Sequence, residues 1–123
     1  MRLLICLFLM VLFGVSSANQ FCRAIQGAAI VAQDGTFLGT VSSSFNQDSI
    51  FNEFGPHGNE FSSTSIWNEF SQYGGEFSTY SPFNEFTSSP PLIIINNRPA
   101  AKLSVSQTDP SAVHPYALKQ CRF

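Results

Sequence analysis

At 123 residues and a formal net charge of −2, the chain has room for one domain, which argues against a two-domain enzyme or a long solenoid. Its six Lys and Arg are too few for a nucleic-acid footprint, which needs a basic stripe or patch. Thirteen Phe against 11% charged residues make an aromatic, charge-poor chain, and the order along the chain shows where that excess lies.

Arg2 precedes an unbroken apolar run from Leu3 to Phe13, which then turns small and polar. The run falls short of the roughly 20 residues that a membrane span needs. Ser16 and Ala18 satisfy the small-residue rule of a cleavage site. Residues 1–18 therefore read as a signal peptide, and residues 19–123 as one exported domain, secreted or periplasmic, without a membrane span after removal of the signal. Cys6 is removed with the signal.

Cys22 and Cys121 remain, and an even count in a small exported chain predicts a disulfide. Such a bridge closes a loop of about 100 residues, worth ~4–5 kcal/mol in the chain-entropy treatment. No CxxC pattern or nearby His suggests a redox role.

Residues 25–42 carry apolar runs on both sides of Asp34-Gly35, a hairpin signal. Residues 92–106 repeat the theme: Leu92 to Ile95 form a β-branched run, Asn96 and Asn97 tolerate the left-handed turn conformation, and Leu103 and Val105 alternate with serines. Pro99 belongs at a strand start or an edge. The expected fold is α+β, with two β-hairpins forming a small antiparallel sheet that flanks a middle segment.

That segment, residues 42–89, is rich in Ser and aromatics, with Ile50 and Ile66 its only aliphatic side chains. Residues 49–64 (SIFNEFGPHGNEFSST) and 65–80 (SIWNEFSQYGGEFSTY) are identical at nine of 16 positions, and SPFNEF at 81–86 begins a third copy. Ser49, Ser65 and Ser81 read as helix N-caps, Pro82 as a first helical residue, and Glu53, Glu69 and Glu85 as first-turn acids. Phe51 and Phe54, Trp67 and Phe70, and Phe83 and Phe86 are each three apart, a spacing that puts rings on one face of a helical turn. The glycines before Phe61 and Phe77 suggest loops that return an aromatic to the core. The repeat is thus expected to be short helical turns joined by Gly loops. The alternative is a small all-β, solenoid-like domain with 16-residue coils.

SIFNEF, SIWNEF, YGGEFS, SPFNEF and SSPPLIII together resemble a family of small exported bacterial proteins of unknown function. That family carries S-x-[FW]-N-x-[FY] and Y-G-S-x-[FY]-S repeats, closed by a Pro-Pro and apolar strand and then a hairpin. The likeness spans about residues 34–121 and implies export but no activity. Here PHGNEF replaces one Tyr-Gly-Ser element and Asn96-Asn97-Arg98 replaces an Asp-Gly-type turn.

Asn52, Asn68 and Asn84 each precede a Glu, and such carboxamide–carboxylate pairs suit a sugar or a calcium ion. The same residues also suit backbone capping by Asn beside solvated Glu. Trp67, the single Trp, reads either as a sugar-stacking platform or as a larger core ring, and Tyr73 accompanies it. Candidate ligand-binding residues are therefore Trp67, Tyr73, Asn52, Asn68, Asn84, Glu53, Glu69 and Glu85. His57 and His114 are too few and too far apart in sequence to predict a zinc site, and no GxSxG elbow or phosphate loop is present. No metal, cofactor or catalytic residue is predicted. The expected role is a non-catalytic, secreted or cell-envelope domain that binds a carbohydrate or protein surface. A structural, self-assembling envelope or matrix component is the alternative, and a small exported hydrolase comes third.

Overall fold

The structure, a computed structural model, describes residues 19–123. The expected signal peptide, residues 1–18, lies outside the described residues. Residues 19–25 are helical (α1) and lead into the strands β1 (Ala29–Val31) and β2 (Phe37–Thr40). After a long segment without strands come β3 (Leu92–Ile95), β4 (Arg98–Leu103), β5 (Ala112–Val113) and α2 (Pro115–Leu118). The five strands form one open sheet in the order β2-β1-β3-β4-β5, and with its few helical residues the domain is α+β.

Local chemistry accounts for the sheet. Gly35, at φ 91°, turns the chain between β1 and β2, and the Asp34 carboxylate accepts the Thr36 N–H at 3.0 Å. Between β3 and β4, Asn96 and Asn97 adopt φ 52° and 63°, the left-handed pair that a two-residue hairpin turn requires. Pro99 lies near the start of β4, and β5 pairs with β4 only at Lys102 and Leu103, so the missing Pro N–H costs no ladder bond on that side. β1 pairs with β3 from Ala29 opposite Ile94 to Val31 opposite Leu92, which joins the two halves of the sheet. Ile30, Leu38, Ile93 and Leu103 are fully buried on it.

The sheet departs from the expected antiparallel pair of hairpins in its fifth strand, because β5 runs parallel to β4, and the repeat segment departs further. Residues 42–89 contain no helix and no strand. The backbone instead makes successive tight turns, with the N–H of every third residue bonded to the carbonyl three residues before it: Asn52 to Ser49, Gly55 to Asn52, Ser65 to Ser62, Asn68 to Ser65, Ser71 to Asn68. Each turn is headed by Ser, Asn, Thr or Gly. Where the head is Ser or Asn, its side-chain oxygen usually accepts the N–H two residues on, as Ser49 does for Phe51 and Asn52 for Phe54. A three-residue spacing of rings is common to a helical turn and to this chain of turns. The side-chain heads satisfy the backbone locally, and that competes with helix. Pro82 sits second in the turn headed by Ser81, a favoured place for its fixed φ.

Five triplets and one additional residue make the 16-residue copy. The additional residue falls at Gly58 and Gly74, where the chain folds back against its own backbone. A Cβ there would lie 2.0 Å from the Asn52 carbonyl oxygen, or 2.2 Å from that of Asn68.

The copies share a pattern of burial. Ser49, Ser65 and Ser81, and with them Ile50, Ile66 and Pro82, are buried beneath the sheet. Phe51, Trp67 and Phe83 are half-buried against the C-terminal segment: Phe51 stacks 6.2 Å from Phe123, and Phe83 lies 5.7 Å from Tyr116. His57 and Tyr73 are buried against the first hairpin, His57 edge-on to Phe37 at 4.9 Å. Main-chain bonds from Ile50 to Thr40 and from Val105 to Pro82 fasten the segment to the sheet at both ends. The Cys22–Cys121 disulfide ties α1 to the end of the chain. Among the described residues no helix is long and apolar enough to cross a membrane.

Candidate functional site

Two neighbouring clefts, of about 570 and 480 Å³, run along the repeat and share Glu60, Trp67 and Lys119. The triplets build them. The second and third residues of the Asn-headed turns, Glu53-Phe54, Glu69-Phe70 and Glu85-Phe86, project into solvent, as do Glu60-Phe61 and Glu76-Phe77 from the second half of each copy. All five Glu line the clefts, together with Phe54, Phe61, Phe77 and Phe86. These four rings, with Phe45 and Phe70 outside the clefts, are 76–96% exposed. The expectation that Phe61 and Phe77 return to the core is therefore overturned. Within each NEF triplet the ring points away from the sheet, because the core is already filled by the Ile50, Ile66 and Pro82 row.

Trp67 forms the shared wall. Its indole N–H donates to the Ile50 carbonyl at 2.6 Å, which fixes the ring across two copies of the repeat. The ring lies 6.0 Å from Phe83 and is nearly parallel to Tyr116 at 6.3 Å. The Lys119 ammonium sits 4.2 Å over the Trp67 ring and 5.4 Å from Tyr116. α2 positions both of these C-terminal side chains. Pro115 opens it, and the His114 ring nitrogen caps it by accepting the Tyr116 N–H at 3.1 Å.

Of the residues singled out in the sequence, Trp67, Glu69, Asn84 and Glu85 meet in the larger cleft and Glu53 lines the smaller. The three Asn side chains are occupied in holding the turns. Their Nδ2 atoms donate to the carbonyls of Asn46, Ser62 and Ser78 at 3.2, 2.9 and 3.0 Å, while each Oδ1 accepts the N–H of the Phe two residues on. Tyr73 lies elsewhere, 5% exposed, with its hydroxyl donating to Asp34 at 2.7 Å and 2.9 Å from the Thr36 hydroxyl. The Asp34 carboxyl is held below its ordinary value by the Thr36 N–H and then by this phenol. For Tyr73, the Thr36 bond pulls downward, but the Asp34 bond, burial and the Asp34 charge together push the phenol up.

Glu60, Glu76, Tyr116 and Lys119 were not among the sequence candidates. The first two stand in Glu-Phe dipeptides like the other three, and that fivefold recurrence was the available signal. Tyr116 and Lys119 come from outside the repeat and carried none. Among the described residues no three His, Cys, Asp or Glu side chains converge in a way that could hold a metal ion. Comparison of the chain with family models, curated proteins and solved structures found no match.

Proposed function

We propose that the protein is a non-catalytic binding domain of the cell exterior that engages a protein or glycan surface with the groove formed by the two clefts. The observation that carries this reading is the exposure of Phe54, Phe61, Phe77 and Phe86 along one groove. Four such rings present about 500 Å² or more of aromatic area, at the upper end of what the surface of an ordinary monomer leaves open. The two-cysteine pattern, the leader-like residues 1–18 and the resemblance to small exported proteins support a place outside the cytoplasm. The turn-bound oxygens of Ser49, Ser65 and Ser81 favour a structural over a nucleophilic role for the repeat serines.

A binding screen against glycans, cell-wall polymers and immobilised envelope proteins tests the reading, with the double variant Phe77→Ser/Phe86→Ser as control. Ligands retained by the native protein and lost by the variant support it; retention by both excludes the groove. Self-assembly is the second reading, because exposed rings also suit a second copy. Sedimentation over a concentration series distinguishes the two, and a monomer at the highest concentration rejects assembly.

A further inference from the structure

We infer that the groove's occupant is a basic, amphipathic polypeptide segment, whose Lys or Arg side chains pair with the five Glu while its apolar side chains cover the exposed Phe rings. The inference rests on the groove being a binding surface and goes beyond it by fixing the partner's chemistry.

Charge selects the partner. Glu53, Glu60, Glu69, Glu76 and Glu85 all line the groove, and among the described residues Lys119 is the one cation that does. Among the described residues the one ion pair is Lys102 with Asp109, away from the groove, so none of these five carboxylates has a cationic partner within 4.0 Å. The Lys119 ammonium rests over Trp67 and Tyr116, which demonstrates that the groove wall seats a cation by its ring faces.

The arrangement of the groove adds to this. Each of the five Glu is followed by an exposed Phe, and four of those rings, all but Phe70, line the groove with the acids. A polypeptide segment that turns basic and apolar side chains together to the groove matches both features. The same face of a second copy would oppose Glu to Glu, and anionic lipid or acidic glycan meets the same repulsion. A neutral glycan would cover the carboxylates without compensating their charge.

The single Trp, on the wall common to both clefts, is a built-in reporter. The test titrates the protein with a synthetic peptide of repeating Lys-Lys-Leu-Leu, which shows both kinds of side chain on each face when extended, an equal-length peptide of repeating Glu-Glu-Leu-Leu, and a neutral cello-oligosaccharide. Binding is read by Trp67 emission and by calorimetry. The Lys–Leu peptide is expected to bind saturably and more weakly as salt rises. The triple variant Glu69→Gln/Glu76→Gln/Glu85→Gln is expected to weaken it by about tenfold or more with an unchanged melting temperature. Equal binding of the Glu–Leu peptide or the oligosaccharide, or undiminished binding by the triple variant, overturns the basic partner. If that binding is still lost in Phe77→Ser/Phe86→Ser, the groove itself stands as a binding surface. Failure of every probe to bind overturns both.

Discussion

Polar side chains hold the backbone of the repeat in its turns. Asn68 is 8% exposed and makes two bonds, one to the Phe70 N–H and one to the Ser62 carbonyl, so its amide closes one turn and reaches back to the one before. Asn68→Ala leaves both backbone groups without their partner in a half-buried setting and should cost about 2 kcal/mol. Thermal unfolding checks this, with Asn52→Ala as the comparison. The bond from Asn52 to Asn46 is longer and exposed, so that change should cost less.

The contact of Tyr73 with Asp34 gives a pH dependence of known sign. The Asp34 carboxyl lies below its ordinary 3.8 in the folded protein, so its contribution is complete above that value and is lost as pH falls through the folded pKa. The Tyr73 phenol lies above its ordinary 10.0, so its contribution is complete below that value and is lost as pH rises through the folded pKa. Melting temperatures of the native protein and of Asp34→Asn across the acid range should converge at low pH. Curves that stay parallel would remove the contact from the account.

At the scale of the element, the chain of turns depends on the close approaches at Gly58 and Gly74. Gly74 has no room for a methyl group: its Cβ would meet the Asn68 carbonyl oxygen at 2.2 Å and the Ile66 carbonyl oxygen at 2.7 Å, both backbone. The neighbouring Gly75 meets nothing closer than 3.1 Å. Gly74→Ala should therefore destabilise the fold by several kcal/mol or prevent folding, while Gly75→Ala should be tolerated far better. Circular dichroism melts of the two variants decide it, and equal behaviour would contradict the folded-back geometry. The cause is steric at this position, since Gly74 does not adopt a positive φ.

The whole molecule is held by few long-range ties. The turn segment bonds mainly within itself, so its attachment to the sheet rests on the buried Ile50, Ile66 and Pro82 row, on His57 and Tyr73 against the first hairpin, and on main-chain bonds at its two ends. The C-terminal segment covers the Phe51, Trp67 and Phe83 row, and the bridge from Cys121 to Cys22, 99 residues apart in sequence, secures it. Reduction should cost ~4–5 kcal/mol in the chain-entropy treatment. It should also loosen Tyr116 and Lys119 from Trp67. A red shift of Trp67 emission on reduction, before global unfolding, is the expected signature; unchanged emission up to the melting transition would show that α2 is held without the bridge.

Much of this was legible in the residues. Asp34-Gly35 and Asn96-Asn97 mark the chain reversals because few other residues accept those turn conformations, and the disulfide expected of Cys22 and Cys121 is present. The 16-residue period of the repeat was also legible, whereas its ring spacing points to helical turns where the structure has triplet turns. Local sequence could not say which of two rings three residues apart, such as Phe51 and Phe54, faces the protein. In a helical turn both lie on one face, whereas in linked tight turns one packs under the C-terminal segment and the other meets water. Sequence by itself determined the two hairpin reversals and the 16-residue repeat, because both depend on interactions or identities within a short stretch of chain. Only the tertiary structure decided the groove. The sheet fills one side of the segment with Ile50, Ile66 and Pro82, α2 brings Tyr116 and Lys119 over Trp67, and the Glu-Phe pairs are left outside.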